Sequence, residues 1–299
     1  MVDLSGDTHQ NSDPPDYPLR PGDEDSPPEI PQHSSVRTSI VAIILLIAAA
    51  AAWVILVRGP GRPLQPASES VPAESRGQDR ALPLGGAPAA VPVPLLDQSD
   101  ALVRDLVRQL TTQSSVGAWL ATDGLIRNFT VSIANVADGI TPERHLRRLR
   151  PSEPFAVVRQ GDELLIDPAS YHRYDTFAAA AASVDPDGAA RLYATLKTRI
   201  EEAWRDLGHP DTSVDHAVEQ AIGQLLRTPV VQGPLRVQPG SKGIGYAYTD
   251  ANLEALTGAQ KQLVRMGSEN VLTIQRSLRA IAIALGIPPS RLPTPGAHS

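Results

Sequence analysis

The longest apolar run in the chain extends from Ile40 to Val57 and reads IVAIILLIAAAAAWVILV. None of its 18 residues is charged. With a helical rise of about 1.5 Å per residue, the run would measure about 27 Å, close to the roughly 30 Å hydrocarbon core of a bilayer. The run is therefore predicted to be a transmembrane helix.

A cleaved signal peptide and a retained anchor are both apolar, but their flanks differ. A signal peptide has a short basic start and a shorter apolar core that ends at small residues. Here the 39 preceding residues hold eight acidic residues and two arginines, and Trp53 continues the apolar run past the alanines at 48–52. A retained anchor is predicted. A helix buried in a globular core is disfavoured, because both flanking segments have the composition of disordered chain.

Composition divides the rest of the chain into four parts. Residues 1–39 carry a net charge of −6 and few large apolar side chains, which predicts an acidic disordered tail. Residues 58–94 contain eight prolines and form a predicted linker. Residues 95–286 are long enough for one folded domain, and residues 287–299 are a predicted disordered tail.

Charge and cysteine content bear on partners and compartment. From residue 95 onward the chain has 22 acidic and 21 basic residues, a balance that argues against nucleic-acid binding. The arginines that flank the predicted span are too evenly distributed to set its orientation. The absence of cysteine from the whole sequence is compatible with an oxidising compartment. We expect a single-pass protein of the cytoplasmic membrane with its N-terminus in the cytoplasm and its domain in the periplasm.

The domain is predicted to be mainly α with small β-hairpin additions, an α+β fold. Apolar residues recur at helical spacing in four segments, and shorter runs around turn residues predict two hairpins. The helical segments are 96–110, 123–139, 185–208 and 268–286, and the hairpins are 154–168 and 233–250. Asp97 or Ser99 is the predicted cap of the first helix, and Ser268 that of the last.

Several of these segments resemble one known family. The segments are LLDQSDALVRDL, PFAVVRQGDELLIDPASYHRYDTF, SVDPDGAARLYATL, AWRDLGHPD and LTGAQKQLVRMGSENV, and together they are similar to the bacterial family called domain of unknown function 3014. The resemblance covers nearly all of residues 95–286. It implies an envelope protein of Gram-negative bacteria, with an N-terminal span, a Pro-rich linker and no assigned activity or catalytic residues.

Two patterns suggest chemistry, and each has a simpler structural interpretation. In HPDTSVDH, His209, Asp211, Asp215 and His216 are metal-ligand types, but Thr212 with Asp215 also forms a capping box at a helix start, which we favour. PGSKGIG lacks the Gly-Lys-Ser/Thr ending of a phosphate loop and is predicted to be a hairpin turn. No nucleophile motif is present. Catalytic residues, cofactors and metals are therefore not predicted.

Two clusters are candidate interaction surfaces. Four arginines, Arg144, Arg147, Arg148 and Arg150, suit phosphate, carboxylate or lipid headgroups, and the alternative is a paired helix face. Tyr171, Arg173 and Tyr174 concentrate aromatic area, and the alternative is a core helix. The expected function is a non-enzymatic binding or scaffolding domain, held to the membrane by one helix, with an envelope protein or an anionic headgroup as partner. The alternative is an envelope hydrolase whose site is not visible in the sequence.

Overall fold

The computed structural model of the protein describes residues 83–108, 120–141, 151, 153–240 and 245–294. The predicted span Ile40–Val57 and the arginine cluster Arg144, Arg147, Arg148 and Arg150 lie outside these residues. Within the described part, no helix combines the length and apolar character needed to cross a bilayer.

The described residues form nine helices and a four-stranded sheet. In chain order the helices are α1 (Asp100–Arg108), α2 (Leu125–Ala137), α3 (Ala169–His172), α4 (Asp175–Ala182), α5 (Pro186–Asp206), α6 (Val214–Leu226), α7 (Ala251–Glu254), α8 (Gly258–Val264) and α9 (Ser268–Ala284). The strands are β1 (Val157–Gln160), β2 (Glu163–Ile166), β3 (Arg236–Pro239) and β4 (Tyr246–Tyr248). Two short 3-10 helices, Leu96–Gln98 and Pro289–Arg291, complete the order.

Helix α9 forms the centre of the helical part and packs against α4, α5 and α6. Its inner face carries Ile274, Leu278 and Ile281, each 0% exposed, at the three-to-four spacing that places residues on one side of a helix. The predicted last helix is thus confirmed, but Ser268 is its first residue and not its cap. The preceding Gly267 has a φ of 83°, a conformation that glycine adopts without strain, and makes the turn into the helix.

Helices α5 and α6 are both capped by side chains, and the cap predicted for α6 is wrong. Helix α5 begins after Asp185, whose side chain accepts hydrogen bonds from the backbone N–H groups of Asp187 and Gly188 at 3.3 Å. Helix α6 is capped by Ser213, which accepts from the backbone N–H of Asp215 at 3.2 Å. The predicted capping box of Thr212 and Asp215 is wrong, because the Asp215 carboxylate points to α5 instead.

The strands form one antiparallel sheet in the order β1-β2-β3-β4. The first predicted hairpin is confirmed, with Gly161 in its turn at a φ of 62°. The two hairpins are joined because β2 pairs with β3, with Leu164 opposite Val237. One sheet face covers a second, smaller apolar core around Ile166, Val237 and Tyr248. The fold is thus mainly helical with a small antiparallel sheet, as predicted.

Packing extends beyond residues 95–286 at both ends. On the N-terminal side Leu84 is 8% exposed and belongs to the main core. On the C-terminal side Ile287 and Leu292 are 2% and 7% exposed and belong to the same core. Composition assigned these residues to a linker and a tail, but their apolar side chains are buried against the helices.

Candidate functional site

Residues 83–94, which we call the strap, lie along α5. The backbone N–H of Ala89 donates to Thr195 Oγ1 at 2.8 Å, and Arg199 Nε donates to the backbone oxygen of Pro94 at 2.7 Å. These contacts join residues more than 100 positions apart in sequence. The strap leads from the predicted membrane span into the domain, so its docking fixes where the chain meets the fold.

Three side chains, Tyr193, Lys197 and Asp215, hold the start of the strap, and we call them the clamp. The backbone N–H of Leu84 donates to Asp215 Oδ2 at 3.0 Å, and Lys197 Nζ lies 3.4 Å from the Leu84 backbone oxygen. Within the clamp, Asp215 Oδ2 is 2.5 Å from Lys197 Nζ, and Asp215 Oδ1 accepts from the Tyr193 hydroxyl at 2.6 Å. One carboxylate thus receives three donors, and both polar groups of the Leu84 peptide are bound.

The Tyr193 hydroxyl acts as a hydrogen-bond donor within the clamp. Burial, followed by the nearby Asp215 charge and hydrogen bond, raises the pKa of Tyr193 well above its ordinary value of 10.0. The phenol therefore stays protonated and donates to the carboxylate near neutral pH. A catalytic tyrosine base or nucleophile needs the opposite shift. The geometry suits recognition of a peptide backbone.

Gly85 makes the close approach of the strap to α5 feasible. Its φ is 103°, and a Cβ built on it would lie 3.0 Å from Ala194 Cβ and 3.2 Å from Ala194 Cα. Its N–H donates to the backbone oxygen of Leu285, just after α9, at 2.9 Å. A side chain here would meet both backbone strain and a steric clash.

The predicted aromatic candidates Tyr171, Arg173 and Tyr174 come together beside the sheet, but largely inside the fold. The Arg173 guanidinium donates to the Tyr174 hydroxyl at 3.0 Å and lies 5.7 Å from the centre of the Phe155 ring. Tyr174 is 1% exposed, so the expectation that it forms part of an interaction surface is wrong. Its ring fills the core, and its hydroxyl also accepts from Gln262 at 3.2 Å.

Tyr171 is half-buried against Gly267, where a Cβ would lie 2.8 Å from Tyr171 Cγ. Burial raises the pKa of Tyr171, and contact with the Leu235 backbone opposes that shift. Helix α3 and the glycine before α9 thus fix this ring. Tyr171 and Arg173 are positioned mainly by internal contacts.

Arg265 is a buried charge that sequence reasoning missed. It is 4% exposed, donates to the backbone oxygen of Tyr246 at 2.9 Å and lies 5.4 Å from the centre of the Tyr248 ring. Among the described residues no carboxylate lies within ion-pair distance of it. In the sequence, burial of Arg265 was indicated only by its position among the apolar residues from Leu263 to Met266.

The HPDTSVDH segment provides structural contacts. The His209 ring stacks on the Trp204 ring with centroids 4.2 Å apart, and the Trp204 indole N–H donates to the Thr212 backbone oxygen at 3.0 Å. Asp215 belongs to the clamp. In the part of the chain that the structure describes, no three histidine or acidic side chains converge as a metal site.

Two hollows flank the N-terminus of α2. The first is an apolar cavity of about 40 Å³ between α1, α2 and α5, enough for little more than one water molecule. The second is a polar depression of about 260 Å³ lined by Asp97, Asp100, Asp123 and Arg127, among others. Its charges serve internal contacts, because Arg127 bridges Asp97 and Asp206 at 3.0 and 2.7 Å.

Comparison with known proteins identifies the family. No curated protein and no solved structure matches the chain. The family model described as "Protein of unknown function (DUF3014)" matches residues 125–282, which span α2 to most of α9 and include all three clamp residues. Because the match covers more than half of the chain, the protein belongs to this family, as the sequence motifs indicated.

Proposed function

We propose that this chain is a single-pass membrane-anchored protein of the bacterial envelope whose folded domain binds or scaffolds a partner on the periplasmic side without catalysing a reaction. In this proposal Ile40–Val57 crosses the cytoplasmic membrane, and residues 1–39 lie in the cytoplasm. The apolar length of the run and its acidic N-terminal flank support the anchor.

The observation that carries the proposal is the docking of the strap. If no part of the linker contacted the fold, the place where the chain enters the domain would not be fixed. Here the clamp binds both polar groups of the Leu84 peptide, and Gly85 bonds to the end of α9. The fold thus uses a largely shielded ion pair to hold the chain that leads from the predicted anchor.

The remaining tether is short. Residues 58–83, 26 residues in all, separate the predicted span from Leu84. A Pro-rich segment extends at up to about 3.1 Å per residue, so 26 residues reach at most about 80 Å. The tether therefore holds the domain within about 80 Å of the membrane. Such an arrangement favours a module that works close to the membrane.

A reporter fusion tests the placement. The reporter should follow Ser299, because Ile287 and Leu292 are buried and a fusion at Gly286 would remove core contacts. We expect a periplasm-dependent reporter to be active and a cytoplasm-dependent one to be silent. Deletion of residues 40–57 is the control and should abolish the periplasmic signal. Activity of the cytoplasmic reporter alone on the intact chain would overturn the proposed orientation.

An activity screen tests the non-enzymatic part. The purified full chain should turn over no envelope ester, peptide or glycan above the background of a mock purification. Turnover that is lost on substitution of one described carboxylate, histidine or serine would establish the hydrolase alternative instead.

A further inference from the structure

The outer face of α9 carries a stripe of four residues, Leu272, Arg276, Arg279 and Ile283, which we call the α9 stripe. Their spacing of four, three and four places them on one side of the helix, opposite the buried Ile274, Leu278 and Ile281. Leu272 is 40% exposed and Ile283 is 48% exposed, and both rank among the large apolar side chains that the described surface leaves open. An apolar residue therefore lies at each end of a basic pair.

The two arginines have no ion-pair partners within the described ranges. Arg276 Nε donates to the Leu272 backbone oxygen at 3.3 Å, and the Arg279 guanidinium donates to the Pro293 backbone oxygen. The only acidic residue in α9 is Glu269, in the first turn, whereas Arg276 lies at the middle of the helix and Arg279 in its second half. The stripe thus has an uncompensated positive charge towards the C-terminal end of α9.

That end of the helix is also where the strap joins the fold. The N–H of Gly85 donates at 2.9 Å to the backbone oxygen of Leu285, two residues after Ile283. Leu285 is 2% exposed, so the strap meets this end of α9 on its buried side, while the stripe occupies the outer side of the same helix. In the proposed anchoring, the 26 residues between Val57 and Leu84 tether this end of the domain to the bilayer.

We propose that the α9 stripe rests on an anionic phospholipid surface, with Arg276 and Arg279 on headgroup phosphates and with Leu272 and Ile283 at the interface. Arginine forks match phosphate oxygens, and an exposed basic face with apolar neighbours is the arrangement of interfacial helices. Each basic residue near such a surface gains electrostatic attraction that falls within a Debye length. This inference rests on the proposed membrane anchoring and adds the surface that faces the lipid.

The absence of cysteine allows a direct test, because one introduced cysteine is the only labelling site. The full chain carrying Ile283→Cys is labelled with an environment-sensitive fluorophore and reconstituted in vesicles that contain lipid-borne quenchers. The vesicles consist of phosphatidylcholine alone or of an equimolar mixture with phosphatidylglycerol. The matched control is Asp162→Cys, an exposed position in the turn of the β1–β2 hairpin.

We expect the label at position 283 to lose most of its emission in the anionic vesicles and little in phosphatidylcholine, while the label at position 162 is unaffected by lipid. The pair Arg276→Glu and Arg279→Glu should abolish the quenching without changing the circular dichroism. Equal emission from both positions in anionic vesicles would overturn the proposal. So would a shift at position 283 that appears only when envelope proteins are added, because a protein would then cover the stripe.

Alkaline extraction of the same vesicles separates the two proposals. A chain that resists extraction but shows no quenching at position 283 contradicts the role of the α9 stripe and leaves the anchor intact. A chain that is released contradicts the anchor itself.

Discussion

Lys197 Nζ lies 2.5 Å from Asp215 Oδ2, and this ion pair joins the middle of α5 to the first turn of α6. Both side chains are 18% exposed, so the pair is largely shielded from solvent. The same Asp215 oxygen accepts the backbone N–H of Leu84, which lies 131 residues earlier in the chain. The pair therefore ties two helices and the strap together at one point.

Replacing Asp215 should test this junction. The change Asp215→Asn removes the charge that the clamp donors share, and we expect the free energy of unfolding to fall by about 1–3 kcal/mol. For a domain of this size that corresponds to a lower melting temperature by roughly 2–12 °C. The control is Asp211→Asn, an exposed site in the preceding turn that should change stability by less than about 0.5 kcal/mol. Equal melting temperatures for the two variants would contradict the importance of the clamp.

A glycine pair tests the fit of the strap to α5. The change Gly85→Ala places a Cβ 3.0 Å from Ala194 Cβ at a φ of 103°, and we expect a loss of about 1–3 kcal/mol in chemical unfolding. The adjacent Gly86→Ala meets no atom within 4 Å and should be neutral or slightly stabilising. If both variants unfold at the same urea concentration, the strap does not pack closely on α5 in solution.

The pKa of Tyr193 predicts an alkaline limit to stability. Because the pKa is raised in the folded state above 10.0, the protonated phenol contributes stability that is fully present below about pH 10. This contribution is lost as the pH rises through the higher folded-state pKa. We expect the unfolding free energy of the wild type to fall above pH 10, and to fall less steeply in Tyr193→Phe.

The pKa of Tyr171 is also raised, so a substitution of this residue provides a second test. Tyr171→Phe should flatten the same alkaline slope, and the double variant should be flatter than either single one. Identical slopes above pH 10 for the wild type and Tyr193→Phe would show that this hydroxyl is not buried in the folded protein.

Asp100 in α1 caps a different helix and supplies a further test. Its carboxylate accepts the backbone N–H groups of Gly124 at 2.7 Å and Leu125 at 2.8 Å, at the start of α2. Loss of an N-terminal cap typically costs about 1–2 kcal/mol, so Asp100→Ala should destabilise the protein by that amount in urea unfolding. Asp105→Ala on the same helix removes only the ion pair with Arg108, in which both side chains are mostly exposed. Its effect on stability should therefore be small. A small effect at both sites would argue against the cap.

The helices were predictable because their signals are local. The apolar spacing within α5 and α9 depends only on residues a few positions apart. The β1–β2 hairpin was predictable for the same reason, since Gly161 and its neighbours specify a tight turn. The pairing of β2 with β3 joins strands separated by α3 to α6, and nothing in either strand specifies its distant partner.

The strap and clamp were missed for a related reason. Proline, alanine and glycine between residues 83 and 94 are typical of a linker, and the docking uses mainly backbone groups, which carry no residue-specific pattern. Asp215 was interpreted as a helix cap because the local motif allowed it, whereas its three donors come from α5 and the strap. Tyr174 was expected at the surface because it belongs to a cluster of aromatic side chains. In the fold the hydroxyl is buried and is hydrogen-bonded by Arg173 and Gln262, and the sequence does not indicate these partners.

Amide hydrogen exchange at Leu84 in the full chain, reconstituted in a bilayer, most directly tests whether the domain grips its own tether. We predict that this amide is protected to a degree comparable with amides in α5, because its N–H is bound by Asp215. In Asp215→Ala the protection at Leu84 should be lost while amides in α2 keep theirs. Exchange at Leu84 in the wild type as fast as in an unstructured peptide, or unchanged protection in Asp215→Ala, would contradict the account.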